Sequence, residues 1–414
     1  MLNGFGRAAL FIIVLLSSSV ASFWIFRVAR AADLSAADSL ADRRTATILV
    51  PTDARNWQKL AVLQQQRGVP SSDAFLKATQ LSPLSAEAWI GLGLEQEMNG
   101  DFHSAEAALL HAAGISREYV PRWTLLNFYF RRNDPEHFWP WARRALELGY
   151  TDMQPIFRMA WALTSDANHI NREMVPDRPV ALGQYLVWLT NTGKTDEAEK
   201  VASRLLPRAG QDEAPALEFY CNTQLARGHV AAAKAAWAGM LSRHLVPDAE
   251  ESPGTAATRN AWTTTLTNGL FTHDPSNTGL DWRKATPNGI FFRPTFPGLR
   301  INLSGKQPEA CELLSQYVLL EKDRKYDLSY EYETSGIPPD SGLSWRVFDL
   351  KTGLELTKNV HHLSREKMGS ETIRFLTPSE AEGGRLVLMY QRALGTTRIS
   401  GWLQLQQVAL TTAN

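Results

Sequence analysis

The sequence predicts an α-helical solenoid followed by an all-β sandwich, with a hydrophobic helix at the N-terminus. Three observations carry this. Trp57, Trp89 and Trp123 recur at intervals of 32 and 34 residues, each opening a similar helical pattern. Beyond the Pro247–Gly254 stretch the apolar period falls from helical spacing to two. Residues 8–26, AALFIIVLLSSSVASFWIF, are apolar apart from serines.

The chain has 414 residues, enough for two or three domains, and its 44% hydrophobic and 21% charged content suits ordinary packed cores. Lys plus Arg (43) balances Asp plus Glu (43), and no basic stripe offsets that neutrality, so nucleic acid is not an expected partner. The 13 tryptophans suit cores and repeat interfaces, and also sugar-stacking platforms. Cys221 and Cys311 are isolated thiols that make neither a disulfide framework nor a zinc site. They are expected as small buried hydrophobes.

Residues 1–30 read as a signal anchor or a signal peptide. The apolar run at 8–26 is about 28 Å long as a helix, close to a bilayer core. Ala29-Arg30-Ala31 has the small-x-small form of a cleavage site. The length of the run favours an uncleaved anchor, with Trp24 at the interface; the alternative is a protein secreted after cleavage near Ala31. Arg27 and Arg30 follow the segment, which by charge bias would put the bulk in the cytoplasm. The short N-terminal tail and the cleavage-like site favour the opposite, a periplasmic or cell-surface bulk. Residues 31–52, rich in Ala, Asp, Ser and Arg, are expected to be a linker that lifts the folded part off the membrane.

Residues 53–245 carry the repeats. The first unit is spelled Trp57, Leu60, Ala61, Gln64, Gly68, Ala74, Ala78, and the second Trp89, Leu92, Gly93, Gln96, Gly100, Ala105, Leu109, Ala112. The third runs Trp123, Leu126, Asn127, Phe130, Ala142, Ala145. Two looser units follow, Leu182 to Ala202 around Gly193 and Leu217 to Trp237 around Gly228. Between the third unit and the first of these looser ones, 151–164 reads as a lone helix and 165–179 as an irregular insertion. Trp, Leu and Gly at i, i+3 and i+4 share one helix face, Gly93 admits a close second helix, and Gly100 sits where the chain turns. This spelling, with the joint Leu81-Ser82-Pro83-Leu84-Ser85-Ala86-Glu87-Ala88-Trp89, resembles the tetratricopeptide repeat. Gly91-Leu92-Gly93 is accordingly no nucleotide loop: Gln96 stands where G-x-G-x-x-G needs its last glycine, and no strand precedes it.

The resemblance implies a concave groove lined by the first helix of each unit. The positions expected on it are Arg55, Gln58, Gln65 and Gln66, then Glu97, then Thr124, Arg131 and Arg132. Arg131-Arg132 would suit a carboxylate or a C-terminal peptide of a protein partner.

After a linker at 246–261, residues 262–414 alternate at period two. Leu299, Ile301 and Leu303 oppose Arg300, Asn302 and Ser304; Tyr326, Leu328, Tyr330 and Tyr332 oppose Asp327, Ser329, Glu331 and Glu333. Leu343, Trp345 and Val347, and Leu386, Leu388 and Tyr390, mark two more strands. In the last strand the phase shifts between Leu405 and Val408, which predicts a bulge. About eight short strands make a sandwich. Gly279-Leu280-Asp281-Trp282, Leu299-Arg300-Ile301, Gln316 to Leu320, Tyr326 to Tyr330 and Gly401 to Val408 resemble a galactose-binding-like, carbohydrate-binding-module-like jelly roll. The departure is at Lys322-Asp323-Arg324, where that family often turns on Pro-Gly. The resemblance implies a sugar site on an exposed aromatic, for which Trp345, Tyr390 and Trp402 with Arg346 and Arg374 are the candidates.

No H-E-x-x-H, G-x-S-x-G, P-loop or C-x-x-C occurs, and the adjacent His361 and His362 would face opposite ways in a strand. The expectation is a non-enzymatic envelope scaffold without cofactor or metal. Its repeats would bind a protein and its sandwich a glycan or protein, in exopolysaccharide assembly or export. The alternatives are a secreted carbohydrate-binding or glycan-processing accessory, and an assembly protein whose sandwich only packs.

Overall fold

The computed structural model describes residues 4–247, 266–358 and 361–413, in two compact units, Met1–Pro176 and Asp177–Asn414. Trp262 and the stretch 248–261 of the expected linker lie outside the described residues.

The described residues of the first unit form ten helices. Helix α1 (Gly4–Ala36) is unbroken, and its stretch from Leu10 is long and apolar enough to cross a membrane. It continues past the apolar run and packs on α2 (Leu40–Leu49), where Ala31, Ala46 and Val50 form a small core and Arg27 donates to the Leu49 carbonyl. The expected linker is therefore helical. The Ser39 hydroxyl caps α2 by accepting the Asp42 N–H, and Arg43 ties the hairpin to the Ala37 and Lys59 carbonyls. The cause is small apolar residues, Ala31 and Ala46, that let two helices close in a stretch whose composition otherwise reads as polar.

Three helical hairpins follow: α3 (Ala54–Gln66) with α4 (Ser72–Leu81), α5 (Ala86–Met98) with α6 (Phe102–Ile115), and α7 (Tyr119–Arg131) with α8 (Pro135–Leu148). Their local chemistry repeats. The Trp57 indole donates to the Pro51 carbonyl and the Trp89 indole to that of Pro83, both at 2.9 Å. In the third unit Arg122 takes this place, donating to the Ser116 carbonyl. The turn glycines Gly68 and Gly100 have φ of 67° and 81°, and Asn133 fills that position in the third unit at 51°. A Cβ on Gly93 would stand 2.8 Å from Leu109 of α6, and one on Gly91 would overlap the Phe75 ring of α4. Both glycines thus let α5 close on its neighbours. Helix α9 (Gln154–Leu163) is the expected lone helix, but the expected irregular insertion contains a short helix, α10 (Ala167–Glu173), capped by Asp166.

The second unit opens with two more hairpins, α11 (Pro179–Asn191) with α12 (Thr195–Leu205) and α13 (Ala214–Ala226) with α14 (Val230–Ser242), turning at Gly193 and Gly228. Among the described residues nine strands follow: β1 (Arg283–Lys284), β2 (Ile290–Pro294), β3 (Leu299–Ser304), β4 (Ala310–Val318), β5 (Lys325–Ser335), β6 (Leu343–Asp349), β7 (Gly369–Leu376), β8 (Gly384–Gln391) and β9 (Ser400–Thr412). They form two antiparallel sheets, β1-β4-β8-β6 and β2-β3-β9-β5-β7. The alternating apolar residues meet between them, with Trp282, Trp345 and Tyr330 in contact at the centre. The expected bulge falls at Gln406, which the register between Glu331↔Gln407 and Tyr332↔Leu405 leaves unpaired. Asp323 takes a positive φ of 49° at the turn where the resemblance expects Pro-Gly. Asn222 of α13 joins hairpin to sandwich: its Oδ1 accepts from the Gly279 N–H and from Arg283, and its Nδ2 donates to Thr278, all at 2.8 Å. Beside it Cys221 is buried, which pushes its thiol up to about 12 and keeps it a neutral packing group.

Candidate partner and glycan surfaces

The expected groove residues fall into two groups on the first helices. Near the N-terminal ends, Arg55 is clamped to Asp53, its backbone and side chain both donating to that carboxylate. Burial alone would raise the Asp53 pKa, but the Arg55 hydrogen bonds outweigh it and hold the carboxyl below its usual range. Gln58 donates to Glu87 at 2.9 Å and so links α3 to α5. Toward the other ends lie Gln65, Gln66, Glu97, Arg131 and Arg132. Positions 55 and 65 are ten residues apart on α3, about 15 Å along the axis, enough for an extended segment of four or five residues.

Within the second group, Arg131 makes a two-pronged pair with Glu97 at 2.8 and 2.7 Å, joining α7 to α5. The Arg132 guanidinium lies 3.8 Å from the Phe102 ring centroid. Thr124 is buried, and its hydroxyl is spent on the Val120 carbonyl within its own helix, which removes it from the groove. The same interlocking was invisible in the sequence, because Gln58–Glu87 and Glu97–Arg131 cross from one unit to the next.

The five glycan candidates do not make one site. Trp345 and Tyr390 have no exposed surface and belong to the core between the sheets, as their apolar phase on β6 and β8 dictates. Arg346 is on the four-stranded sheet, where it reaches Gln391 and Glu355. Arg374 on β7 is paired with Asp327, whose carboxyl the guanidinium holds below its usual range. Trp402 stands opposite Ser335 of β5, and Arg374 opposite Asp327. Those positions are eight residues apart along β5, about 27 Å, too far for one sugar unit.

Strand register instead assembles another surface around Trp402. Phe291, Asn302 and Trp402 stand directly opposite one another across β2, β3 and β9, and so share a face of the five-stranded sheet. Phe291 is 61% exposed, and Asn302 and Trp402 are half-buried. The next row holds Arg293, Arg300 and Gln404. The Arg300 guanidinium lies 4.2 Å from the Trp402 ring centroid and its Nε donates to Gln404 at 3.0 Å. The exposed Phe291 ring, an amide and guanidinium donors are the kinds of group that stack on and hydrogen-bond a sugar ring, while one face of Trp402 is covered by Arg300. The alternation of β2 and β3 put Phe291, Arg293, Arg300 and Asn302 on one side, but only the register brings Trp402 among them.

No family model matches the chain, and no curated protein matches it. Among solved structures, the chain is similar to one described as "CBM4 structure and function", at 11% identity over 36% of this chain and 99% of that one, with a TM-score of 0.28. It is similar to YrrB, a TPR protein with an unusual peptide-binding site, at 16% identity over 49% of this chain and 93% of that one, TM-score 0.26. It is also similar to PilW, a type IV pilus biogenesis factor, at 14% identity over 54% of this chain and 95% of that one, TM-score 0.27. The chain itself is an array of helical hairpins followed by a two-sheet antiparallel β-sandwich, behind an N-terminal apolar helix.

Proposed function

We propose that this chain is a non-enzymatic envelope scaffold. Its apolar helix anchors it, its repeats hold an extended segment of a protein partner, and its sandwich contacts a glycan, in exopolysaccharide assembly or export. The observation that carries the glycan role is the row Phe291, Asn302 and Trp402, with Arg300 beside it. The groove reading is supported by the polar residues Arg55, Gln58, Gln65, Gln66, Glu97, Arg131 and Arg132 on three successive first helices.

Anchoring is favoured over secretion by the packing of α1. Ala31, the residue at which cleavage would occur, is 1% exposed inside that helix and packs on α2. A peptidase that needs an extended substrate would have to unwind this hairpin first. We place the bulk outside the cytoplasm. A C-terminal alkaline phosphatase fusion tests this, and phosphatase silence with an active cytoplasmic reporter would reverse it.

The deciding experiment for the sandwich is a glycan array probed with the full chain in neutral detergent, wild type beside Phe291→Ala plus Trp402→Ala. Saturable binding lost in the double variant is expected. Silence across a broad array, or binding unchanged in the variant, overturns the glycan role.

A further inference from the structure

A second groove lies away from the first helices. It has a volume of about 760 Å³ and is lined by α8, the end of α9, the turn that follows, and α10. That size is in the range of ligand clefts. Its floor is apolar: Trp139 is nearly buried, meets the His169 ring edge-on at 5.0 Å, and is flanked by Pro135, Pro140 and Leu163. The polar lining is unbalanced. Among the residues that line it, Glu136, Asp166 and Glu173 outnumber the one guanidinium, Arg143. Arg143 is directed at Glu147, 3.4 Å away, and at the Arg172 carbonyl, also 3.4 Å away. Glu173 is partly offset by Arg172 at 2.7 Å. Asp166 is exposed; its Oδ1 accepts the Asn168 and His169 N–H groups, but its charge stays at the rim. Glu136 is exposed at the start of α8.

We propose that this groove docks a basic peptide segment of a partner protein, one arginine or lysine flanked by apolar residues. The charge complement is specific: the aliphatic stem of such a side chain covers the Trp139 and Pro140 floor while its cation reaches Glu136 and Asp166. An acidic segment would meet two exposed carboxylates, and a purely apolar one would desolvate them without return. The inserted helix α10, which interrupts the repeat spelling, supplies His169 and Glu173, so the interruption builds one wall of the groove. The site is separate from the groove on α3, α5 and α7.

The test uses the full chain in neutral detergent and three fluorescein-labelled hexapeptides, Gly-Leu-Pro-Arg-Leu-Gly and the same peptide with Gln or Glu in place of Arg. Anisotropy is read against detergent alone. The Arg peptide is expected to bind saturably and the other two at least about tenfold more weakly. The surface variant Glu136→Arg plus Glu173→Arg, checked by circular dichroism, should reverse that order in favour of the Glu peptide. Equal binding of the three peptides, no saturable binding of the Arg peptide, or an unchanged order in the variant overturns the proposal. Arg131→Ala plus Arg132→Ala should leave the Arg peptide bound. Loss of binding there would overturn this site while leaving the first-helix groove standing.

Discussion

Arg131 grips Glu97 one repeat away: the two stand 34 positions apart, at matching places on successive first helices, and share two parallel hydrogen bonds. The Glu97 side chain is mostly shielded and Arg131 about half exposed, so the pair is partly screened. A double-mutant cycle of Glu97→Ala and Arg131→Ala, read by urea denaturation, should give a coupling of about 0.5–1 kcal/mol. A coupling indistinguishable from zero would mean the pair adds nothing to the stacking of units.

The glycines of α5 are set by packing. Gly91→Ala drives a methyl into Phe75, and Gly93→Ala drives one against Leu109 and the Ala105 carbonyl. Each should cost about 1–3 kcal/mol in thermal or chemical melts. Gly68→Ala, where a Cβ meets nothing within 4 Å but φ is 67°, should cost only about 1 kcal/mol. Equal losses at all three positions would contradict the distinction between packing and turn glycines.

Asp281 sets a pH dependence for the second unit. Burial raises its pKa, but hydrogen bonds from His273, Ser276 and Trp282 outweigh that and hold it below the ordinary value of about 3.9. A depressed folded-state pKa contributes stability that is fully present above the unfolded value and lost as pH falls through the folded one. Asp281→Asn should therefore lower Tm at pH 7, by an amount equivalent to about 1–3 kcal/mol, and the gap should narrow below about pH 4. A gap constant from pH 7 to 3 would assign the loss to something other than the carboxylate charge.

Asn222 holds the last hairpin to the sandwich through three hydrogen bonds, and Arg283 shares its Oδ1. Asn222→Ala leaves the half-buried Arg283 with the Gly279 and Asp281 carbonyls alone among these partners. The expected cost is about 1–3 kcal/mol, with earlier proteolysis between α14 and β1. Unchanged proteolysis and Tm would mean that packing of Trp237 on Gly279 suffices for the joint.

Much of this architecture was legible residue by residue. The Trp57, Trp89 and Trp123 spacing located the first three hairpins, and at Trp57 and Trp89 the shared cause is one indole bond to a proline carbonyl six residues back; strand alternation located the core aromatics. That same alternation buries Trp345 and Tyr390, so it argued against their use as a sugar platform. Helix α2 was missed because its composition is polar; the Ser39–Asp42 cap was the available signal. The row Phe291, Asn302 and Trp402, and the Glu97–Arg131 pair, depend on which strands and units become neighbours, and no local pattern encodes that.

The continuation of α1 beyond its apolar run, and its packing on α2, have a mechanical result. A flexible linker of the 22 residues from 31 to 52 would let the first repeats wander through about 26 Å from the membrane exit. Helix α1 instead runs straight on past its apolar stretch, and Arg27 and Ala31 lock the returning helix against it. With α1 in a bilayer, the first repeats sweep only as far as that helix tilts, about 20° on average. For a chain anchored as proposed, the search for a partner is then nearly two-dimensional, at a height above the lipid set by the helix itself.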